Sequence, residues 1–207
     1  MIILGLTGSI GMGKSAAAAT LRRLGVPLFD ADAAVHLLLG PKGAAVAPVE
    51  AAFPGVRDDD GGIDRLRLGQ QVFGDRAALR RLEAIIHPMV RRAERRFVAR
   101  ARARRARLVA LDIPLLFESG GVGRCDVVLV VSAPLRLQRE RVLRRAGMSE
   151  DRFADILRAQ MPDREKRRRA DFVVATALGR SASFRHLRAI VRALRRGERP
   201  LQYRGRR

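Results

Sequence analysis

A chain of 207 residues is long enough for one α/β domain with a sizeable core but short for two independent ones, so one core with insertions is expected. Apolar residues at 47% and charged residues at 30% describe a soluble globular chain, while aromatic residues at 4%, with no Trp, leave Ala, Leu and Val to fill the interior. The formal charge of +21 admits a nucleic-acid surface or a polyanionic substrate, yet every basic residue except Lys14, Lys42 and Lys166 is an arginine and these are spread along the chain, which favours composition bias and solvated helix faces over a dedicated nucleic-acid site.

In chain order, Ile2 to Leu6 is a short apolar run closed by a Gly-rich segment, the pattern of a buried parallel strand. Lys14 to Leu24 then shows helical spacing and is stopped by Gly25 and Pro27. A second strand follows over Val26 to Phe29 and ends at Asp30-Ala31-Asp32. From Ala33 to Arg105 the chain is mostly helical, interrupted by a polar loop at Arg57 to Gly62, with helices expected over Leu66 to Phe73, Arg76 to His87 and Pro88 to Arg105. Pro88 suits the first turn of a new helix, with the following arginines on its exposed face. Strands return at Leu108 to Leu111 and Asp126 to Val131, followed by Arg-rich helices over Leu135 to Arg145, Glu150 to Gln160 and Asp163 to Ala170. A last strand over Phe172 to Thr176, a helix over Ser183 to Arg196 and a loose basic tail from Gly197 to Arg207 complete the series. Alternating strands and helices imply a doubly wound parallel sheet.

Cys125 stands alone, which excludes an intramolecular disulfide and suits a reducing compartment, and no Cys/His spacing suggests zinc. The start of the chain lacks a charged leader, and no apolar run approaches the ~18 residues of a membrane span, so a cytoplasmic protein with no membrane partner is expected.

The segment Gly8-Ser9-Ile10-Gly11-Met12-Gly13-Lys14-Ser15 matches GxxxxGKS and lies between an expected strand and an expected helix. In that context backbone N–H groups from Gly8 through Ala16 and the positive end of the helix converge on phosphate oxygens. Lys14 would reach the β and γ phosphates and the Ser15 hydroxyl would ligate Mg²⁺. No NKxD segment for guanine occurs and the chain is short for a motor, leaving a compact kinase as the leading class. Its acceptor hydroxyl requires a carboxylate to take the proton. Asp30 and Asp32, two apart on an extended segment, would face the same way at the carboxyl edge of the sheet, as a base, as Mg²⁺-shell ligands or as a helix N-cap. Asp112, followed closely by Pro114, suits a magnesium or substrate role and a capping or loop-anchoring role about equally. Arg139, Arg141, Arg144 and Arg145 fit a lid over the transferring phosphoryl or an ordinary solvated face, and His87 fits a structural helix junction or a substrate contact.

Taken together, the segments resemble the dephospho-CoA kinase family along almost the whole chain. The resemblance runs through Gly5 to Ser15, Leu24-Gly25, Asp30-Ala31-Asp32, Asp64-Arg65, Val72-Phe73, Leu82-Glu83, His87-Pro88 and Asp112-Ile113-Pro114-Leu115-Leu116-Phe117-Glu118. Gln138, Arg141 and Arg145 keep the QxxRxxxR spacing, followed by Gln160, Lys166 and Ala170-Asp171. The resemblance implies a P-loop NTPase-like fold with a nucleotide-binding core over residues 1–32 and 106–207, a helical acceptor-binding insertion over 33–105 and an arginine-rich lid over 138–166. It also implies phosphorylation of the ribose 3′-hydroxyl of dephospho-CoA by ATP with Mg²⁺, the last step of coenzyme A biosynthesis. On the same basis Asp32 is the base, Thr7, Arg65, His87 and Asp112 lie on the acceptor side, and Arg141 and Arg145 join Gly8, Gly11, Met12, Gly13, Lys14, Ser15 and Ala16 at ATP. Ala16 replaces a usual Thr, Pro41-Lys42-Gly43 a usual Pro-Gly, and Ala175-Thr176 a usual Asp-Asn, so no base-reading role passes to Thr176. The alternatives are a P-loop kinase for another small hydroxyl or nucleoside monophosphate and, in a different class, an arginine-rich nucleic-acid-binding module. The assembly is expected to be a monomer or a small homo-oligomer.

Overall fold

The computed structural model describes residues 1–198; apart from its first two residues, the expected basic tail lies outside them. The elements run β1 (Ile2–Thr7), α1 (Lys14–Arg23), β2 (Leu28–Asp30), α2 (Ala31–Leu39), α3 (Val46–Ala52), α4 (Arg65–Val72), α5 (Arg76–Ala103) and β3 (Leu108–Asp112). A short 3₁₀ turn at Gly121–Arg124 leads to β4 (Val127–Ser132), α6 (Leu135–Leu143), α7 (Glu150–Ala159), α8 (Asp163–Arg169), β5 (Phe172–Ala175) and α9 (Arg180–Arg195). The five strands form a parallel sheet in the order β2-β3-β1-β4-β5. β1 is central, with Leu6 opposite Asp112 of β3 and Thr7 opposite Val130 of β4. The chain therefore leaves β1 at the carboxyl edge, between strands that run outward on either side, where open α/β sheets hold ligands.

Among the described residues, chain contacts divide the molecule into two units, residues 1–29 with 101–198 and residues 30–100. In the first unit, alternate residues of the strands turn to one face, where Ile2, Leu4, Leu6, Leu108, Ala110, Leu129, Val131 and Val174 meet Ala17, Ala18 and Leu21 of α1 and Leu187, Ile190, Val191 and Leu194 of α9. Their neighbours Val109, Leu111, Val128 and Val130 face the other way and are buried as well. Burial on both faces is why these strands read as unbroken apolar runs. Each fully buried Leu or Val contributes roughly 1.5–3 kcal/mol relative to exposure, so the strand beneath the Gly-rich loop is a rigid base.

In the second unit the buried apolar residues are Val46, Val49, Phe53, Val56, Ile63, Leu68, Ala78, Ile86 and Val90. Here the expectation of two helices meeting at Pro88 is corrected, because α5 runs unbroken from Arg76 to Ala103 with Pro88 inside it. The buried stripe of Ile86, Val90 and Glu94 keeps a spacing of four residues across the proline. Continuous packing of that stripe outweighs the one backbone hydrogen bond that Pro88 cannot donate. The second strand is also shorter than expected and leads directly into α2, which places Asp32 in a helical turn rather than on an extended segment. Among the described residues, no helix is long and apolar enough to cross a membrane.

Candidate functional site

The loop from Gly8 to Gly13 is shaped by close approach and by glycine backbone. A side chain at Gly8 would lie 2.5 Å from the Val131 Cγ2 atom, so only hydrogen lets the loop pass beside β4. Gly11 has φ +74° and a Cβ there would meet Val142 Cγ2 at 2.6 Å, a position closed to any L side chain on both counts. Gly13, with φ 92°, is the N-cap of α1 and leaves the first turn without a side-chain cap. The free N–H groups at the start of α1 are thus available to an anion. Met12 is buried and its sulfur accepts from the Ala133 N–H at 3.0 Å, so it offers the loop backbone, not a side chain, to a ligand.

The carbonyls of this loop are held from outside. The Ile10 carbonyl accepts from Gln138 Nε2 at 2.8 Å, the Gly11 carbonyl from Arg141 Nη1 at 3.4 Å and the Met12 carbonyl from the Thr176 hydroxyl at 2.9 Å. The Ile10 N–H donates to Gln160 Oε1 at 3.1 Å. Since a peptide N–H only donates and a carbonyl only accepts, these bonds also fix which amide atom each glutamine presents. Gln138 and Gln160 belong to the segments that carry the resemblance, but their spacing holds no sign that they clasp the two sides of one residue.

Lys14 and Asp112 meet at 2.8 Å with side chains 18% and 4% exposed. The β1–β3 register explains it, because Asp112 ends β3 opposite Leu6 and so stands beside the root of the loop. Neither the magnesium nor the capping alternative for Asp112 anticipated Lys14 as its partner. Thr7 is fully buried and its hydroxyl donates to the Pro114 carbonyl at 3.1 Å, anchoring the turn after Asp112. A hydroxyl committed in this way acts on the turn and presents no free surface to an acceptor in this conformation.

The same turn continues to Glu118, which pairs with the wholly buried ammonium of Lys166 at 2.8 Å and accepts from the Met161 N–H at 2.9 Å. Burial alone would raise the Glu118 carboxyl, but the adjacent Lys166 ammonium and the backbone N–H groups of Glu118 and Met161 overcome it and hold it below its ordinary value. Met161 follows Gln160, so this pair steadies the peptide beside the glutamine that receives the Ile10 N–H.

The four arginines considered for the lid separate clearly. Arg141 alone turns to the loop, with Nη1 3.0 Å from the Thr176 hydroxyl and Nη2 3.0 Å from the Thr176 carbonyl. Arg139 is paired with Glu150, Arg144 with Glu140, and Arg145 is exposed beyond the end of α6. Ser15 and Ala16 are exposed in the first turn of α1. A hydroxyl at this point suits Mg²⁺, which takes one or two protein oxygens and completes its shell with phosphate oxygens and water, and which therefore needs no protein cage. Among the described residues no group of three or more His, Cys, Asp or Glu forms such a cage.

In the second unit Asp30 is the N-cap of α2, accepting from the Ala33 N–H at 3.0 Å, whereas Asp32 is exposed in the first turn. The capping alternative thus belongs to Asp30 and leaves the Asp32 carboxylate facing solvent. His36 lies one turn further along the same face of α2, and its Nδ1 is 3.1 Å from Arg65 Nη1. His87 is exposed on α5. The one sign of His36 in the sequence is its i, i+4 spacing from Asp32.

Residues 2–179 match the family model described as dephospho-CoA kinase. The chain is 63% identical to a dephospho-CoA kinase of Paramagnetospirillum magneticum, covering 97% of this chain and 93% of that protein, and 56% identical to one of Rhodospirillum rubrum, covering 96% and 94%. Among solved structures, a protein from Thermus thermophilus is 39% identical with a TM-score of 0.81, covering 93% of this chain and 96% of that one. A dephospho-CoA kinase from Campylobacter jejuni is 25% identical with a TM-score of 0.70, covering 94% and 98%.

Proposed function

This chain belongs to the dephospho-CoA kinase family, and we propose on that premise that it transfers the γ-phosphoryl group of ATP to the ribose 3′-hydroxyl of dephospho-CoA, giving coenzyme A and ADP. The observation that carries the reading is the phosphate cradle: a glycine-shaped loop whose carbonyls are tied back, joined to an uncapped helix start and to Lys14. The family supplies the acceptor. Neither another small acceptor nor a nucleic-acid module is favoured by the relatives.

The transfer is an in-line displacement: the acceptor oxygen bonds to the γ-phosphorus, the bond to the bridging oxygen of ADP breaks, and the acceptor proton passes to a carboxylate. Asp32 is assigned that carboxylate. It is exposed, unlike the capping Asp30, and so is open to a ligand. The loop amides from Gly8 to Ala16 and the Lys14 ammonium hold the phosphates, with Arg141 and Arg145 on the ATP side. The Ser15 hydroxyl would hold Mg²⁺, which would supply charge neutralisation to the phosphates. Arg65 and His87 are assigned to acceptor binding, with Asp112 fixing Lys14 and Thr7 acting through the Pro114 turn. Residues 33–105 are proposed to bind the acceptor and residues 138–166 to form the lid, in a cytoplasmic monomer or small homo-oligomer.

The deciding experiment is phosphotransfer from ATP to a panel of dephospho-CoA, nucleosides, nucleoside monophosphates and shikimate. The expected result is coenzyme A from dephospho-CoA and negligible product elsewhere; an inert dephospho-CoA beside another reactive acceptor would overturn the assignment.

A further inference from the structure

Thr176 lies outside every role assigned above, yet its hydroxyl meets both the phosphate loop and the lid. It stands immediately after β5 and brings together three elements distant in sequence. The hydroxyl lies 2.9 Å from the Met12 carbonyl and 3.0 Å from Arg141 Nη1, with a longer 3.4 Å approach to the Ser132 carbonyl. It has one proton to donate, and the shorter bond to Met12 claims it; its lone pairs are then free to accept from Arg141, which can only donate. The Thr176 carbonyl accepts the second Arg141 donor. Its methyl group packs against the loop, for a Cβ at Gly13 would be 3.2 Å from Thr176 Cγ2.

We propose that Thr176 is a positioning residue for the phosphate cradle, its hydroxyl holding the Met12 carbonyl outward and Arg141 against the loop so that the backbone N–H groups stay turned to the nucleotide. The inference rests on the phosphotransfer reading above but concerns only its nucleotide half. A peptide unit carries its N–H and C=O on opposite sides, so tying the carbonyl outward aims the next N–H inward. Gln138 and Arg141 treat the two preceding carbonyls alike, at 2.8 Å and 3.4 Å. Thr176 is the member that also fixes another, because Arg141 reaches the Gly11 carbonyl while held at both nitrogens by Thr176. Without the hydroxyl, the Met12 carbonyl is free to rotate and Arg141 loses one of its two anchors.

Two substitutions separate the hydroxyl from the methyl group. Thr176→Val keeps the shape and removes the hydroxyl; Thr176→Ser keeps the hydroxyl and removes the methyl. Binding of ATP with Mg²⁺, measured by calorimetry without any acceptor, is expected to weaken about tenfold in Thr176→Val and to stay within about twofold of wild type in Thr176→Ser. In turnover, KM for ATP is expected to rise about as much while KM for dephospho-CoA is unchanged, a split that general loss of stability would not produce. Wild-type affinity in a folded Thr176→Val protein, or equal weakening in both variants, would overturn the proposal. Should Thr176→Val not fold, Thr176→Ala against Thr176→Ser makes the same comparison, with equal affinities overturning it. Because binding is read without acceptor, an inert dephospho-CoA would defeat the phosphotransfer reading and leave the role of Thr176 in nucleotide binding untouched.

Discussion

Lys14 Nζ lies 2.8 Å from Asp112 Oδ1, joining the end of the phosphate loop to the end of the neighbouring strand. The pair holds the ammonium near the loop before any phosphate arrives, so little side-chain freedom remains to be lost on binding. The pair also explains why a carboxylate that is 4% exposed can be kept at this edge of the sheet.

Lys14→Ala is therefore expected to damage two properties. Loss of a charged phosphate contact should lower kcat/KM for ATP by at least about 100-fold, equivalent to about 2.7 kcal/mol. Removing the cation beside buried Asp112 should also lower the melting temperature, and Lys14→Ala/Asp112→Ala should recover part of that stability without recovering activity. Kinetics and thermal unfolding of the three proteins check both halves; full activity in Lys14→Ala would remove the lysine from the mechanism.

Asp32→Asn keeps the size and helical position of the side chain and removes its basicity. Loss of a general base costs about 10²–10⁴-fold in turnover. Turnover should fall in that range while ATP affinity, measured separately, is unchanged. Asp30→Asn should behave differently, since Asn still caps a helix well and Asp30 is engaged with the Ala33 N–H. Unchanged turnover in Asp32→Asn would sink the base assignment.

The Glu118–Lys166 pair makes an acid-sensitive contribution. The folded-state carboxyl is held below its ordinary 4.5, so the unfolded chain takes up a proton first as pH falls. The contribution is complete above about pH 4.5 and is lost as pH drops through the lowered folded value. Glu118→Gln should remove this pH dependence and cost about 1–3 kcal/mol, less than a fully buried pair because Glu118 keeps access to water. Adding Lys166→Met should restore much of the loss, since an apolar side chain of similar length fills the wholly buried site. Denaturant unfolding from pH 3 to 7 tests this, and an identical pH profile in Glu118→Gln would contradict it.

Local patterns were readable where one physical cause dominated. The buried strands appeared as apolar runs because both faces of the sheet are covered, and the loop could be located because Gly11 requires a positive φ and Gly8 a missing side chain. Pro88 misled because the break signal is local, whereas the Ile86–Val90–Glu94 stripe that carries α5 through it depends on packing. The spacing of Asp30 and Asp32 reads as one extended segment, but the helix begins between them, so Asp30 caps α2 and Asp32 is exposed in its first turn.

Sequence alone determined the phosphate cradle's residue types, the order of the five strands and, through the Asp112 to Glu118 segment, the family. Each of those is written in contiguous residues, with periods and spacings set by backbone geometry. Only the tertiary structure decided which partners complete the site. Lys14 meets Asp112, Gln138 and Gln160 clasp Ile10, and Thr176 reaches Met12 across 164 positions of chain. Such pairs are set by strand order and register, which bring remote side chains to one edge of the sheet and leave no local periodicity by which they could be foreseen.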